Sequence, residues 1–277
     1  MPEHCISAHT LTAIKLSLSP KRYNSGMKFA CLLAAAILLP AASLAQWKTP
    51  WTYDGAAGAD RWGALDPDYA VCNSGRQQSP IDIRHTAKAD LPALRFEFRS
   101  EPLKYLINNG KTIRVNYHDA PGAGSFLIAG GARYRLTQFH FHHPSEETVN
   151  GRVYAMEVHF MLESSDGKPA GVAVFLEPGE PNAAVQKLWD HMPRSEGKEQ
   201  EIPGVDIDPA TLLPRNTAYY LYIGSVTAPP CTEGVTWFVL KTPVEVSSAQ
   251  IAAFARLYPH DVRPVQPLNG RMVKESK

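Results

Sequence analysis

Gln138-Phe139-His140-Phe141-His142, followed by His159, constrains this chain more than any other stretch. Side chains two apart on a strand share a face. His140 and His142, set in the β-favouring run from Leu136 to His142, therefore present two imidazoles side by side. Tyr154 to Met161 reads as a second strand on which Glu157, His159 and Met161 share a face. If the two strands pair, three imidazoles converge, and three imidazoles with an open fourth position describe a catalytic zinc site. A single histidine is more often a surface or satisfied core residue; the weight lies on the His-x-His pair joined by a third histidine, with acids and amides between. Cupins and other β-sheet metal proteins also use this pair, so the triad points to a metal before it points to a reaction.

The rest of the chain reads as a scaffold of short strands. It has 277 residues, 44% of them hydrophobic, enough for one domain with a substantial core. Proline (23) and glycine (19) punctuate short runs of Val, Ile, Thr and Tyr, which favours many strands over long helices. Gln46 to Pro80 has no sustained period and reads as an irregular segment anchored on the body by Trp51, Tyr53, Trp62 and Tyr69. Strands are expected at 94–98, 103–108, 112–117, 125–129, 132–136, 136–142, 154–161, 171–176, 219–225 and 235–241. Helices are expected over 182–192, from Ala184, Val185, Leu188 and Trp189, and over 247–258, with Ser248 as its cap and Ile251, Phe254, Ala255 and Tyr258 on one face. No repeat, linker or low-complexity segment divides the chain. A formal charge of +1 gives no electrostatic case for nucleic acid as a partner.

The N-terminus reads differently. Met27-Lys28, the apolar run Phe29 to Leu39 and the small-residue stretch ending Ser43-Leu44-Ala45 have the form of a secretory signal peptide, with cleavage after Ala45. The run is shorter than the roughly 20 residues that span a bilayer, so no stable membrane span remains after cleavage. Residues 1–25 are an upstream extension or a long basic leader, and either Met1 or Met27 serves as the start. The organisation expected is thus 1–45 as extension and signal (signal 27–45) and 46–277 as one domain. Removing 1–45 leaves 24 basic and 26 acidic residues, and Cys72 and Cys231 as the remaining cysteines. An even pair in an exported chain argues for a disulfide, against the alternative of two free buried thiols.

Six motifs in order resemble the α-class carbonic anhydrases. Gln77-Gln78-Ser79-Pro80-Ile81 resembles the family's early QSPI motif, and 138–142 its QFHFH strand. Ser145-Glu146-Glu147-Thr148-Val149 resembles SEHTV, and Ala155 to His159 the AELH strand. Gly224 to Cys231 resembles GSLTTPPC, and Arg263 to Leu268 matches RPxQPL. The resemblance covers nearly all of 51–271. It implies a mainly β (α+β) single domain: a central, mostly antiparallel ten-stranded twisted sheet with short peripheral helices and the metal in a conical cleft. It implies a lyase that hydrates carbon dioxide reversibly to bicarbonate and a proton, by attack of zinc-bound hydroxide, with weak esterase side activity.

The same resemblance implies roles. His140, His142 and His159 bind Zn²⁺; Gln138 orients His140, Glu157 orients His159, and a backbone carbonyl near Asp261 orients His142. Thr227 is the gatekeeper, donating to Glu146. Met161, Gly171, Val226 and Trp237 stand at the substrate-pocket positions, although valine is usual where Met161 and Gly171 occur, so a larger residue and a smaller one could offset each other. Lys111 stands where the family carries its proton-shuttle histidine, and a lysine gives up its proton less readily at neutral pH. Cys72 and Cys231 match positions bridged in secreted members. A periplasmic or secreted location and a homodimer are further implications. The contrasting expectation is a non-catalytic, carbonic-anhydrase-like binding module; intact ligands, Thr227 and Glu146 argue against it.

Overall fold

The computed structural model describes residues 49–120 and 122–277. The extension and signal read at 1–45 lie outside the described residues. From Thr49 to Pro80 the chain has little regular structure; α1 (Trp62–Leu65) and α2 (Val71–Ser74) are single turns. Aromatic burial fixes this segment. Trp51, Trp62 and Tyr69 cluster with Cys72 and Cys231, and Tyr53 packs against them. Trp51 and Trp62 meet edge to face with ring centroids 5.0 Å apart.

Short strands follow: β1 (Asp82–Ile83), β2 (Ala87–Lys88), β3 (Arg95–Glu97), β4 (Glu101–Pro102), β5 (Leu106–Asn108), β6 (Ile113–Asn116) and β7 (Phe126–Ala129). The long strand β8 (Ala132–His142) is followed by β9 (Thr148–Val149), β10 (Met156–Ser164) and β11 (Pro169–Pro178). Helix α3 (Ala183–Asp190) leads to β12 (Asp206–Ile207), β13 (Tyr219–Ser225) and β14 (Glu233–Val246), and α4 (Ser248–Ala255) precedes β15 (Lys274–Glu275). Among the described residues, eleven strands form one sheet in the order β2-β15-β13-β14-β11-β10-β8-β6-β5, with β7 on the first part of β8 and β3 on β7. Pairing is antiparallel except at β11–β14 and β2–β15. The edge strand β2 is only two residues long, so it offers a very short open edge.

Alternation along the central strands separates two faces. Phe139, Phe141, Val158, Phe160, Val172, Val174 and Leu240 pack into the main core. Phe175, Val235, Trp237 and Val239 form a second core on the other side, with Met161 against it. One irregularity matters for the site. Met161 pairs with Gln138 but Leu162 pairs with Leu136, so Thr137 is an extra residue in β8. This bulge lets Leu136 and Phe139, three apart, both reach the main core.

Both expected helices form. Asn182 caps α3, accepting from Ala184 N and Val185 N. The cap of α4 is Ser247, which corrects the expectation of Ser248. Ser247 has the extended backbone a cap needs and closes a reciprocal capping box with Gln250, whereas Ser248 is already the first helical residue.

Candidate active site

His140 stands directly across from His159 in the β8–β10 register, and His142 across from Glu157. One ligand atom from each of His140, His142 and His159 lies within 4.8 Å of the others. Each ring is turned by a bond to its other nitrogen. His140 Nδ1 meets Gln138 Oε1 at 2.8 Å. His142 Nδ1 meets the Asp261 carbonyl at 2.7 Å. His159 Nε2 faces two carboxylates, Glu147 Oε2 at 3.3 Å and Glu157 Oε2 at 3.5 Å. The inward atoms His142 Nε2 and His159 Nδ1 are buried and have no hydrogen-bond partner. Bare, buried imidazole nitrogens converging on one point are what a tetrahedral metal with an open position requires.

Electrostatics agree with ligation by neutral rings at His140 and His142, while His159 is tuned by its carboxylate partners. Burial, with repulsion from the neighbouring imidazoles, holds His140 and His142 well below the ordinary histidine value. Burial also works against a charge on His159, but its bonds to Glu147 and Glu157 outweigh it and draw the ring's pKa well up. Those two carboxyls also bond each other. Burial first, then the charge of Glu147, pushes Glu157 up; Glu147 is held low because bonds from His159 and Tyr222 overcome its own burial. Glu157 Oε2 accepts from Glu146 N at 2.8 Å and Glu147 N at 3.1 Å, and Tyr222 OH donates to Glu147 Oε1 at 2.8 Å. Glu147 was missed as a partner of His159. It stands where the resembled SEHTV motif has histidine, and that departure was the signal.

Thr227 is buried and its side chain hydrogen-bonds Glu146. Glu146 Oε1 also accepts from Arg263 N at 2.8 Å, and its Oε2 lies 3.4 Å from His142 Nε2. Burial pushes Glu146 up to about 7 against these bonds and the charge of His159. Arg263 also donates to the carbonyls of Cys72 (2.7 Å) and Ser79 (2.8 Å), tying the N-terminal segment to the site.

The centre opens into a cleft of about 120 Å³ lined by His140, His142, Thr227, Met161, Val226 and Trp237, with Lys111 and Arg114 among the polar lining residues. Gly171 is the exception among the expected pocket residues. It pairs with Met161 on one side and Trp237 on the other, and a Cβ there would come within 2.5 Å of the Trp237 ring. The missing valine side chain is thus replaced by the indole lying over the glycine, and Gly171 supports the cleft wall without lining it. The Lys111 ammonium sits 5.0 Å from the centre of the Trp51 ring, and burial lowers its pKa against the pull of Glu196. Two further histidines, His118 near Lys111 in sequence and His143 just after β8, are outside the cleft: His118 bonds Glu199 and His143 bonds the Pro259 carbonyl. Cys72 and Cys231 form a disulfide, and Cys231 lies four residues after Thr227.

A mixed sheet carrying three inward-facing imidazoles at the base of an apolar-walled cleft is the scaffold of a metalloenzyme. The comparisons with known proteins give the family. The eukaryotic-type carbonic anhydrase family model matches residues 57–277. A carbonic anhydrase of Klebsiella pneumoniae is 41% identical, with 90% of this chain and all of the relative covered. One from a Nostoc species is also 41% identical, over 82% of this chain and 86% of the relative. The α-carbonic anhydrase of Thermovibrio ammonificans, solved with sulfanilamide, superposes with a TM-score of 0.77 at 41% identity, covering 82% of this chain and 99% of that one. The chain belongs to the eukaryotic-type, or α-class, carbonic anhydrase family, enzymes whose general reaction is the hydration of carbon dioxide.

Proposed function

We propose that this chain is an exported zinc carbonic anhydrase, with His140, His142 and His159 as the metal ligands. The observation that carries the reading is the set of three convergent imidazoles, each with its outer nitrogen engaged and the buried inner nitrogens of His142 and His159 left bare. When bound, zinc supplies the Lewis acidity that brings the pKa of water down to about 7, a value established for carbonic anhydrases as a class.

The chain's own residues supply the remainder. A divalent cation favours the ionised form of Glu146, opposing the effect of its burial. An ionised carboxylate only accepts, so Thr227 donates its hydroxyl proton to Glu146 and keeps a lone pair for the proton of the attacking nucleophile. That fixes which side of the nucleophile faces the substrate. Met161, Val226 and Trp237 offer carbon dioxide an apolar wall, suited to a molecule with no charge and few hydrogen-bonding handles. Lys111, at the cleft, is the candidate relay for the released proton, and as an ammonium it must first give up one of its own, which makes it a slow relay at neutral pH. The small cleft leaves room for weak hydrolysis of small esters by the same nucleophile.

Export to a periplasm or beyond is supported by the 27–45 leader in the sequence and by the Cys72–Cys231 disulfide; among the described residues no helix is long and apolar enough to cross a membrane. N-terminal sequencing of the exported protein should begin at Gln46, and sedimentation tests the homodimer.

The deciding experiment measures zinc content, carbon dioxide hydration and ester hydrolysis before and after chelation. One zinc per chain, with hydration lost on chelation and regained with zinc, is expected. A zinc-free protein with full hydration activity, or a zinc-loaded protein with none, overturns the reading; the second outcome favours the binding module.

A further inference from the structure

Arg114 is a charged side chain in the cleft that the reaction does not use. It stands on β6 directly opposite His140 on β8, so the two project from the same face of the sheet. It lines the cleft together with Lys111, and none of the residues lining that cleft is acidic. Its Nε is buried without a hydrogen-bond partner. Glu199, the acid whose charge reaches Arg114, is engaged by Asn116 Nδ2 at 2.5 Å and by His118 Nε2 at 3.1 Å. Lys111 rests on the Trp51 ring and feels the charge of Glu196.

A buried guanidinium N–H without a partner costs folding free energy, so a half-buried arginine that faces a cavity with its Nε–H unanswered and no carboxylate bonded to it points to a partner that arrives from solvent. The planar fork of an arginine matches a planar or tetrahedral oxyanion through two parallel N–H···O bonds, and an ammonium nearby adds a point charge. We propose that Arg114, assisted by Lys111, forms a small-oxyanion site in the cleft beside His140. Bicarbonate and dibasic phosphate share the chemistry it recognises: two or more acceptor oxygens, negative charge and a volume that a narrow cleft admits. The site is distinct from the fourth position of the histidine centre, because its contacts are guanidinium and ammonium N–H groups. The proposal rests on the zinc-enzyme reading only in naming bicarbonate as one occupant.

The test titrates the zinc-loaded protein calorimetrically with inorganic phosphate and, separately, with bicarbonate, at constant ionic strength. Wild type is compared with Arg114→Gln, Lys111→Gln and, as a control, Arg215→Gln at an exposed position. Arg114→Gln should weaken phosphate binding at least tenfold and Lys111→Gln severalfold, with no change in the control. The thermal midpoint of Arg114→Gln in anion-free buffer should equal or exceed that of wild type, since the change removes a half-buried charge whose Nε–H has no partner; an arginine with a structural role would give a fall. Mutual displacement of the two anions identifies a shared site, and binding of one alone names its occupant. Equal phosphate affinity in wild type and Arg114→Gln, or anion binding that vanishes on chelation yet ignores Arg114, overturns the proposal. Arg114-dependent phosphate binding in a protein without carbon dioxide hydration would sink the zinc-enzyme reading and leave this site standing.

Discussion

In the proposed reaction Thr227 and Lys111 serve the two halves of the chemistry, and each can be altered alone. Thr227→Ala removes the hydroxyl that bonds Glu146 without touching a ligand. Zinc content should be unchanged while kcat for hydration falls about 100-fold, the usual cost of losing one oriented hydrogen-bonding group at a reacting centre. Lys111→His places a side chain with a pKa near 6.5 at the cleft, so turnover at low buffer should rise roughly tenfold or more and depend less on added imidazole. Stopped-flow hydration across a buffer series reads both; a rate for wild type already independent of buffer would count against Lys111 as the slow step. The faces of His140, His142 and His159, and of Gln138 and Glu157 two residues before their ligands, were readable from strand periodicity, because two-residue spacing assigns a face; Glu146, Thr227 and the Asp261 carbonyl were legible only through the resemblance to the carbonic anhydrases. Glu147 and Arg114 were missed. Period places a side chain on a face but is silent about which charges across the sheet remain unanswered, and that depends on partners such as Glu199, far away in sequence.

At the scale of elements, the longer strands along the chain and both helices could be read from alternation, glycine turns and apolar spacing; two-residue strands such as β2, β12 and β15 are too short to show a period. The bulge at Thr137 could not be read, because nothing in the local pattern marks an extra residue whose effect appears only in its pairing with β10. Nor could the relation of Gly171 to Trp237, which lie 66 positions apart in sequence and meet through the parallel β11–β14 pairing. That relation corrects the idea of a simple exchange of volume with Met161. Gly171→Val would drive a side chain into the Trp237 ring. It should destabilise by about 1–3 kcal/mol, as overpacked cores do, and lower kcat/KM by moving the cleft wall. Denaturant melts with hydration kinetics check both; a variant as stable and active as wild type would mean that the indole has another place to go.

The whole molecule is closed by contacts between parts distant in sequence. The Cys72–Cys231 bridge spans 159 residues and joins the aromatic N-terminal segment to the loop that carries Thr227. Reduction should cost stability, up to about 5 kcal/mol in the loop-entropy limit, and should also lower activity by loosening that loop. Thermal melts and hydration assays with and without reductant would reveal it; a loss of stability with full activity retained below the melting range would separate the bridge from the reaction. A comparable long-range closure orients the centre itself. All three imidazoles exist once residue 159 has been made, but the carbonyl that turns His142 comes from Asp261, 119 residues further along the chain, and the Arg263 N–H that holds Glu146 lies 117 beyond it. A growing polypeptide therefore carries the three proposed metal ligands long before it carries the groups that aim them. On the proposed reading, competence is completed only by the C-terminal stretch, which supplies the Asp261 carbonyl and the Arg263 N–H.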